Sequence, residues 1–549
     1  MSSKLSLKGF FVFSIKQCFA FGLLLYAGCE KVPTEFYELK TPPAKLRHIE
    51  RFDWEKMKAP VKKPPDPNQE SPQKLELILE QCRTLALANN LSLKVQLIAP
   101  AIAAQTVSEQ EAKFEAAFVA NASYSKTDTP TESTLSGSAV DASNVDLGVQ
   151  IPLRTGGTVS FDVIDRRVKT DEVFSEFSES LNPRYSNDFV ISISQPLLQN
   201  AGNRANTYSI RIAEYDRRIS ETQTKLEVIR VIAAADRAYW RLYAARKDLT
   251  VRKQQYDLAQ AQLEQAQRFV DLGERAQVEG IRAEAGVAAQ LEAIIIAENS
   301  VRDRERELKQ ILNKPGLETQ SPTVLICATE ANPVHYDLAP DRVVKTAIQN
   351  RMEMLELELQ LARDASTIDY YRNQALPLVT LNYTYNINGL GPTRSDAYDL
   401  LYDKNFEDHT LGLQLHVPLG NAAAKSRLRR AFYQRQQHLA SRQNRSKLIE
   451  VEVLRAVDQL EANWQRILAS RQNAVLSSRV FQAEKRQFEL GLRTSTDVLD
   501  AQTKFAEAQS AEILALAEYQ IAQVDLAFAT GTLLGAAKVR WEPIVPVSE

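Results

Sequence analysis

The sequence predicts a mixed α/β membrane type of fold. Long coiled-coil helical hairpins, arranged as an α-barrel, join strands of an oligomeric transmembrane β-barrel, and the plan is duplicated internally. Three observations predict it. First, two stretches, about Asn206 to Leu272 and Ala422 to Leu490, read as nearly unbroken helix without internal Pro or Gly. At ~1.5 Å per residue each spans roughly 100 Å, several times the size of a globular core. Second, short runs between these helices alternate with period two, giving one apolar and one polar face. Third, the same bend ends both long helices: Leu272-Gly273-Glu274-Arg275 and Leu490-Gly491-Leu492-Arg493. Gly273 and Gly491 supply the left-handed conformation that ends a helix without a Cβ penalty, so each bend reads as the tip of a helical hairpin. In that register Arg493 matches Arg275 and Asp497 matches Glu279. Two such tips imply a duplicated chain.

Composition narrows the function classes. With 67 basic and 69 acidic residues the net charge is −2, so there is no electrostatic footprint for nucleic acid. Cys18, Cys29, Cys82 and Cys327 show no metal-binding or scaffold spacing, and the five histidines do not cluster. The chain carries no phosphate-binding loop, no nucleophile elbow and no zinc-protease motif. It therefore reads as no enzyme, with no cofactor and no metal.

The organisation follows in order. Residues 1–29 read as a signal peptide: Lys4 and Lys8 precede an apolar core broken by Lys16-Gln17. Ala27-Gly28-Cys29 resembles a lipoprotein processing site, where Cys29 would be acylated, although Tyr26 stands where such sites usually have Leu. The other reading is an ordinary signal peptide with Cys29 an incidental thiol. Residues 30–71 form a Pro-rich, charged linker. The first repeat occupies 72–316, an irregular connector 317–340, the second repeat 341–535 and a tail 536–549.

Within the first repeat helical spacing begins at Pro72, and Asn89-Asn90 marks a bend or cap. Strands are expected around Phe118–Tyr124, Val145–Leu153, Val159–Val163 and Phe189–Ile193, with Arg154–Gly157 as a tight turn. In the second repeat Asp341–Tyr371 is helical, with Asn350 in the place of Asn90. Strands Val379–Tyr385 and Leu411–Val417 flank a polar loop, Asn388–His409. Return helices run from about Gln277 to Asn313 and from Ser495 to about Ala529. No window holds ~18 uncharged apolar residues, so these helices do not span a bilayer.

Two-faced strands in an exported chain suit an outer-membrane barrel with alternate residues toward lipid and lumen. One chain offers only four to six strands, whereas closed membrane barrels need at least ~8. Open edges are not tolerated in lipid, so several chains must share one barrel.

The chain resembles the outer-membrane efflux proteins, the TolC-like channels. The match is carried by Gln195-Pro196-Leu197-Leu198 with Gly202 and Asn203, by Val417-Pro418-Leu419-Gly420, and by Gly491 to Asp500. The resemblance implies a homotrimer in the cell outer membrane, its barrel in outer-membrane lipid and its helices in the periplasm. It also implies a periplasmic adaptor protein and an inner-membrane transporter as partners. The duct would be the passive exit of a tripartite efflux or type I secretion system. Between Ser125 and Asn187 the chain departs from the family's usual pattern of one loop between two strands, and the Val145–Val163 hairpin there is expected to join the barrel, giving six strands per chain rather than the usual four.

In the family, polar contacts at the helical tips close the tube. The matching positions are Arg493, Asp497 and Asp500, with Glu279 from the first repeat; Phe488 falls where a Tyr hydroxyl often takes part. Plain capping is the alternative, because Thr494-Ser495-Thr496-Asp497 is itself a capping box. Other readings of the whole chain are a periplasmic coiled-coil adaptor, which would have one hairpin beside compact β domains, and a structural spacer, which would leave the strands without a purpose.

Overall fold

The computed structural model describes residues 74–130, 139–171 and 181–540. The signal peptide with Cys29, the linker over 30–71 and most of the tail lie outside them. The first repeat runs β1 (Lys74–Leu77), α1 (Leu79–Asn89), α2 (Leu91–Glu111), β2 (Ala117–Asp128), β3 (Ala139–Pro152), β4 (Thr158–Thr170), β5 (Arg184–Pro196), α3 (Asn203–Asn206), α4 (Tyr208–Asp271) and α5 (Gln277–Leu312). After β6 (Val324–Cys327) the second runs α6 (Pro340–Asn350), α7 (Met352–Gln374), β7 (Leu378–Gly391), α8 (Arg394–Tyr402), β8 (Glu407–His416), α9 (Ala422–Glu489), α10 (Ser495–Ala529) and α11 (Leu533–Ala536).

The long helices α4 and α9 hold 64 and 68 residues. Each ends in the same hydrogen-bonded cap. Gly273 (φ +75°) donates to the Val270 carbonyl at 3.0 Å and Glu274 to Phe269 at 3.0 Å. Gly491 (φ +80°) donates to Phe488 at 3.0 Å and Leu492 to Gln487 at 2.9 Å. A donor reaching back three residues and the next reaching back five is the Schellman arrangement, which satisfies the last carbonyls of a helix. The duplication read from the sequence is therefore repeated bond for bond.

Beside the far half of each hairpin stands a broken helix pair, α1–α2 against α4 and α6–α7 against α9. Asn90 is extended (φ −60°, ψ 125°) and caps α2 by accepting from the Leu93 amide at 3.0 Å. The matching break in the second repeat lies at Arg351 (φ −70°, ψ 132°). The break thus stands one residue beyond the expected Asn350, because α1 and α6 each have 11 residues and Asn350 answers Asn89. Arg351 is buried, and its guanidinium bonds Glu353 and Glu452 in place of a side-chain cap.

The main core gathers at this level, around Ile232, Tyr239, Trp240, Leu242, Leu308, Leu312, Leu325 and Leu533. Here the structure corrects two expectations. Residues 74–77, read as the start of a helix, form a strand, and the connector read as irregular contains its parallel partner: Leu75 pairs with Leu325 and Leu77 with Cys327. Four residues of Lys-Leu-Glu-Leu fit either period, and the pairing that decides between them is remote in sequence. Arg83 and Asp236 tie α1 to α4 through two bonds of 2.8 Å, with Asp236 fully buried.

The other strands form one antiparallel sheet in the order β2-β3-β4-β5-β7-β8. The Val145–Val163 hairpin is part of this sheet, as β3 and β4. Register places Leu147, Val163, Phe189 and Ile387 in one row, and Val149, Phe161, Ile191 and Tyr385 in another on the same face. A row on the opposite face carries Gln150, Ser160, Ser192, Thr384 and Thr410. The strands run longer than the alternating cores implied, because their ends carry polar residues on both faces, as in Asp165-Arg166-Arg167.

The turn between β3 and β4 sits at the helical end of the sheet. Gly202, next to α3, donates to the Thr155 carbonyl at 2.9 Å, and the Arg154 guanidinium lies 5.9 Å over the Phe114 ring. At the opposite end the stretch read as a polar loop contains α8. Ala397 is fully buried against Gly389, where an added Cβ would stand 2.1 Å from the Ala397 carbonyl oxygen. Arg394 also pairs with Asp165 at 2.8 Å, fastening α8 across the sheet.

Candidate functional site

The two hairpin tips lie side by side and are joined by residues from both repeats. Arg275, in the bend after α4, donates to the carbonyl oxygens of Phe488 (3.2 Å) and Arg493 (3.4 Å) in the other bend. Its guanidinium also lies 5.3 Å over the Phe488 ring. Phe488 is buried and meets Phe269 edge to face at 6.2 Å. Where the family pattern suggested a phenol hydroxyl, this chain uses an aromatic ring and a cation over its face. The sequence register had matched Arg275 to Arg493, but gave no sign that the two sit in different surroundings.

Glu279 crosses between the repeats. One carboxylate oxygen accepts from the Ser495 amide at 2.8 Å and the other pairs with Arg282 at 2.8 Å. Ser495 is the first residue of α10, so Glu279 satisfies one of the orphan amides at that helix start and meets the positive end of its dipole. Burial works to raise the Glu279 carboxyl, yet the bonds from Ser495 and Arg282 hold it below the usual carboxylate range.

Asp497 occupies the capping box. It accepts from the Thr494 amide at 3.0 Å, and its own amide donates to the Thr494 hydroxyl at 3.4 Å. The amide and hydroxyl of Thr494 pull the Asp497 carboxyl below its ordinary value. Arg493 pairs with Glu484 at 3.1 Å and donates to Gln487 at 3.0 Å. Asp500 is exposed further along α10. Within one chain, then, Arg493 is held by Glu484, while Asp497 caps its own helix.

Beyond the tips the hairpins remain in contact. Leu499 packs so closely against Gly286 that an added Cβ would meet it at 2.6 Å, and the Gln502 amide donates to the Gln255 carbonyl at 2.7 Å. No single helix among the described residues is long and apolar enough to cross a membrane. The two-faced sheet is the element suited to lipid.

Fold and tips together define a class: a sheet with an apolar and a polar face, mounted on paired helical hairpins about 100 Å long. The model of the outer membrane efflux protein family matches residues 166–314 and 343–532, and the chain belongs to that family. It is similar to the outer membrane protein TolC of Vibrio cholerae, at 24% identity over 62% of this chain and 76% of TolC. Among solved structures it is similar to the outer-membrane channel OprN (16% identity, TM-score 0.60, covering 83% of this chain and 90% of that one). It is also similar to the CmeC outer membrane channel of Campylobacter jejuni (16% identity, TM-score 0.59, covering 83% and 86%). The protein is an outer-membrane efflux channel, and the adaptor and spacer readings are set aside.

Proposed function

We propose that three copies assemble into one duct, the passive exit of a tripartite exporter that works with a periplasmic adaptor protein and an inner-membrane transporter. The observation that carries this reading is the six-stranded sheet whose end strands, β2 and β8, are exposed along their length. Unpaired edges have no solvent in lipid, so the barrel closes only when chains share it. The helices then line a tube continuing into the periplasm. The tips close that tube: Asp497 and Asp500 of each copy, with Arg493 and Glu279, form a polar constriction where three symmetry copies converge. Exposed ion pairs contribute only ~0–1 kcal/mol each. A few acting together are enough to bias two packings of the helices.

Native mass spectrometry of the detergent-extracted outer-membrane fraction tests the assembly. A trimer is expected. A stable monomer with an intact sheet would overturn the reading.

A further inference from the structure

We propose that the β3–β4 hairpin is part of the channel wall, so that the barrel has 18 strands, six from each of three chains, closed by β8 of one copy pairing with β2 of the next. This rests on the trimer proposed above.

Four observations carry it. The ladders are unbroken: β3 pairs with β4 from Val140↔Thr170 to Pro152↔Thr158, and β4 with β5 from Thr158↔Ser194 to Val168↔Arg184. A hairpin lying outside the wall would need the β4–β5 ladder to part. The apolar rows also cross all these strands without interruption, so β3 and β4 present the same face to lipid as β5 and β7. In water that face would be left exposed. Strands β3 and β4 have 14 and 13 residues, enough to cross a bilayer, which takes about 9–11 in a tilted strand. Finally, strand parity fits. β2 leaves the helical end and β8 returns to it, so neighbouring edges meet antiparallel, as the rest of the sheet does.

The family match begins at residue 166, so β2, β3 and most of β4 lie outside it. The consequence is a wider passage. Barrel diameter grows roughly linearly with strand number, so the hairpin makes the barrel about 1.5 times wider than the same trimer without it. The lumen side carries the polar row Gln150, Ser160, Ser192, Thr384 and Thr410. Such a membrane section passes large polar cargo, and the limit on size moves to the helical tube and its tips.

Electron cryomicroscopy of the full chain purified in detergent counts the strands directly. Eighteen are expected. A channel-forming trimer with 12 strands and the hairpin outside the wall would overturn the proposal while leaving the duct intact. A monomer, or a protein forming no channel, would instead remove the reading beneath it. Cross-linking gives an independent readout in membranes. Ala122→Cys combined in turn with His409→Cys, Leu411→Cys and Leu413→Cys should yield a disulfide-linked trimer in one register. Linkage of Ala122→Cys to Ile191→Cys within one chain would show instead that β2 abuts β5, with the hairpin outside the wall.

Discussion

Glu279, near the start of the first return helix, accepts the backbone amide of Ser495, the first residue of the second return helix, at 2.8 Å. A carboxylate from one repeat thus caps the helix of the other, and the two tips of a chain behave as one piece. Replacing Glu279 by Ala removes a charged acceptor from a buried amide and should cost about 2 kcal/mol locally. Hydrogen exchange at Ser495 should accelerate roughly 30-fold, while Glu279→Gln, which still accepts, should lose less. Unchanged exchange in the Ala variant would mean that the bond holds nothing.

The two bend glycines should differ only through their surroundings. An added Cβ at Gly273 meets nothing within 4 Å, so Gly273→Ala should cost only the left-handed backbone strain, about 1–2 kcal/mol. At Gly491 the nearest atom is a terminal nitrogen of Arg275 at 3.7 Å, an ordinary contact. Comparable losses are expected, read as proteolytic nicking at the mutated tip. A loss confined to one bend would show that the caps are not equivalent.

The Arg83–Asp236 pair gives a test far from the tips. Burial pushes the Asp236 carboxyl up, against the pull of Arg83. Arg83→Met leaves that buried group uncompensated and should destabilise the fold by about 3–5 kcal/mol. Adding Asp236→Leu should recover most of the loss. A mild Arg83→Met variant would show that water reaches Asp236.

Acid should loosen the tips. Glu279 and Asp497 both have carboxyls held below their ordinary values of 4.5 and 3.8. For depressed carboxylates the stabilisation is complete above the unfolded value and is lost as pH falls through the folded one. Hydrogen exchange at the first turn of α10 should therefore be steady from neutral pH down to about 5 and rise, after correction for intrinsic rates, below about 4. A rise centred near neutrality would point to another titrating group.

How much of this was legible differs by element. Helices α4, α5, α9 and α10 were readable to within a few residues, because long apolar stripes and two glycines fix them locally. The β3–β4 hairpin was readable from Arg154–Gly157 between alternating runs. Strands β1 and β6 were not, since four residues carry no period and their pairing is remote. Helix α8 was hidden in a polar stretch because what fixes it is tertiary, the seat of Ala397 on Gly389. At the tips the sequence pointed to Asp497 and Glu279. It could not show that Arg493 turns to Glu484, or that Arg275 reaches across to Phe488.

Single-channel conductance of the purified trimer in planar bilayers decides whether carboxylates at the tips hold the proposed duct shut. An Asn side-chain oxygen at position 497 can still accept from the Thr494 amide, and Asp500 is exposed, so Asp497→Asn/Asp500→Asn should preserve the fold while removing the charge. Small conductance is expected for the wild type and a clearly larger one for the double variant. Equal conductance from two correctly assembled trimers would contradict it and leave Asp497 as a helix cap alone.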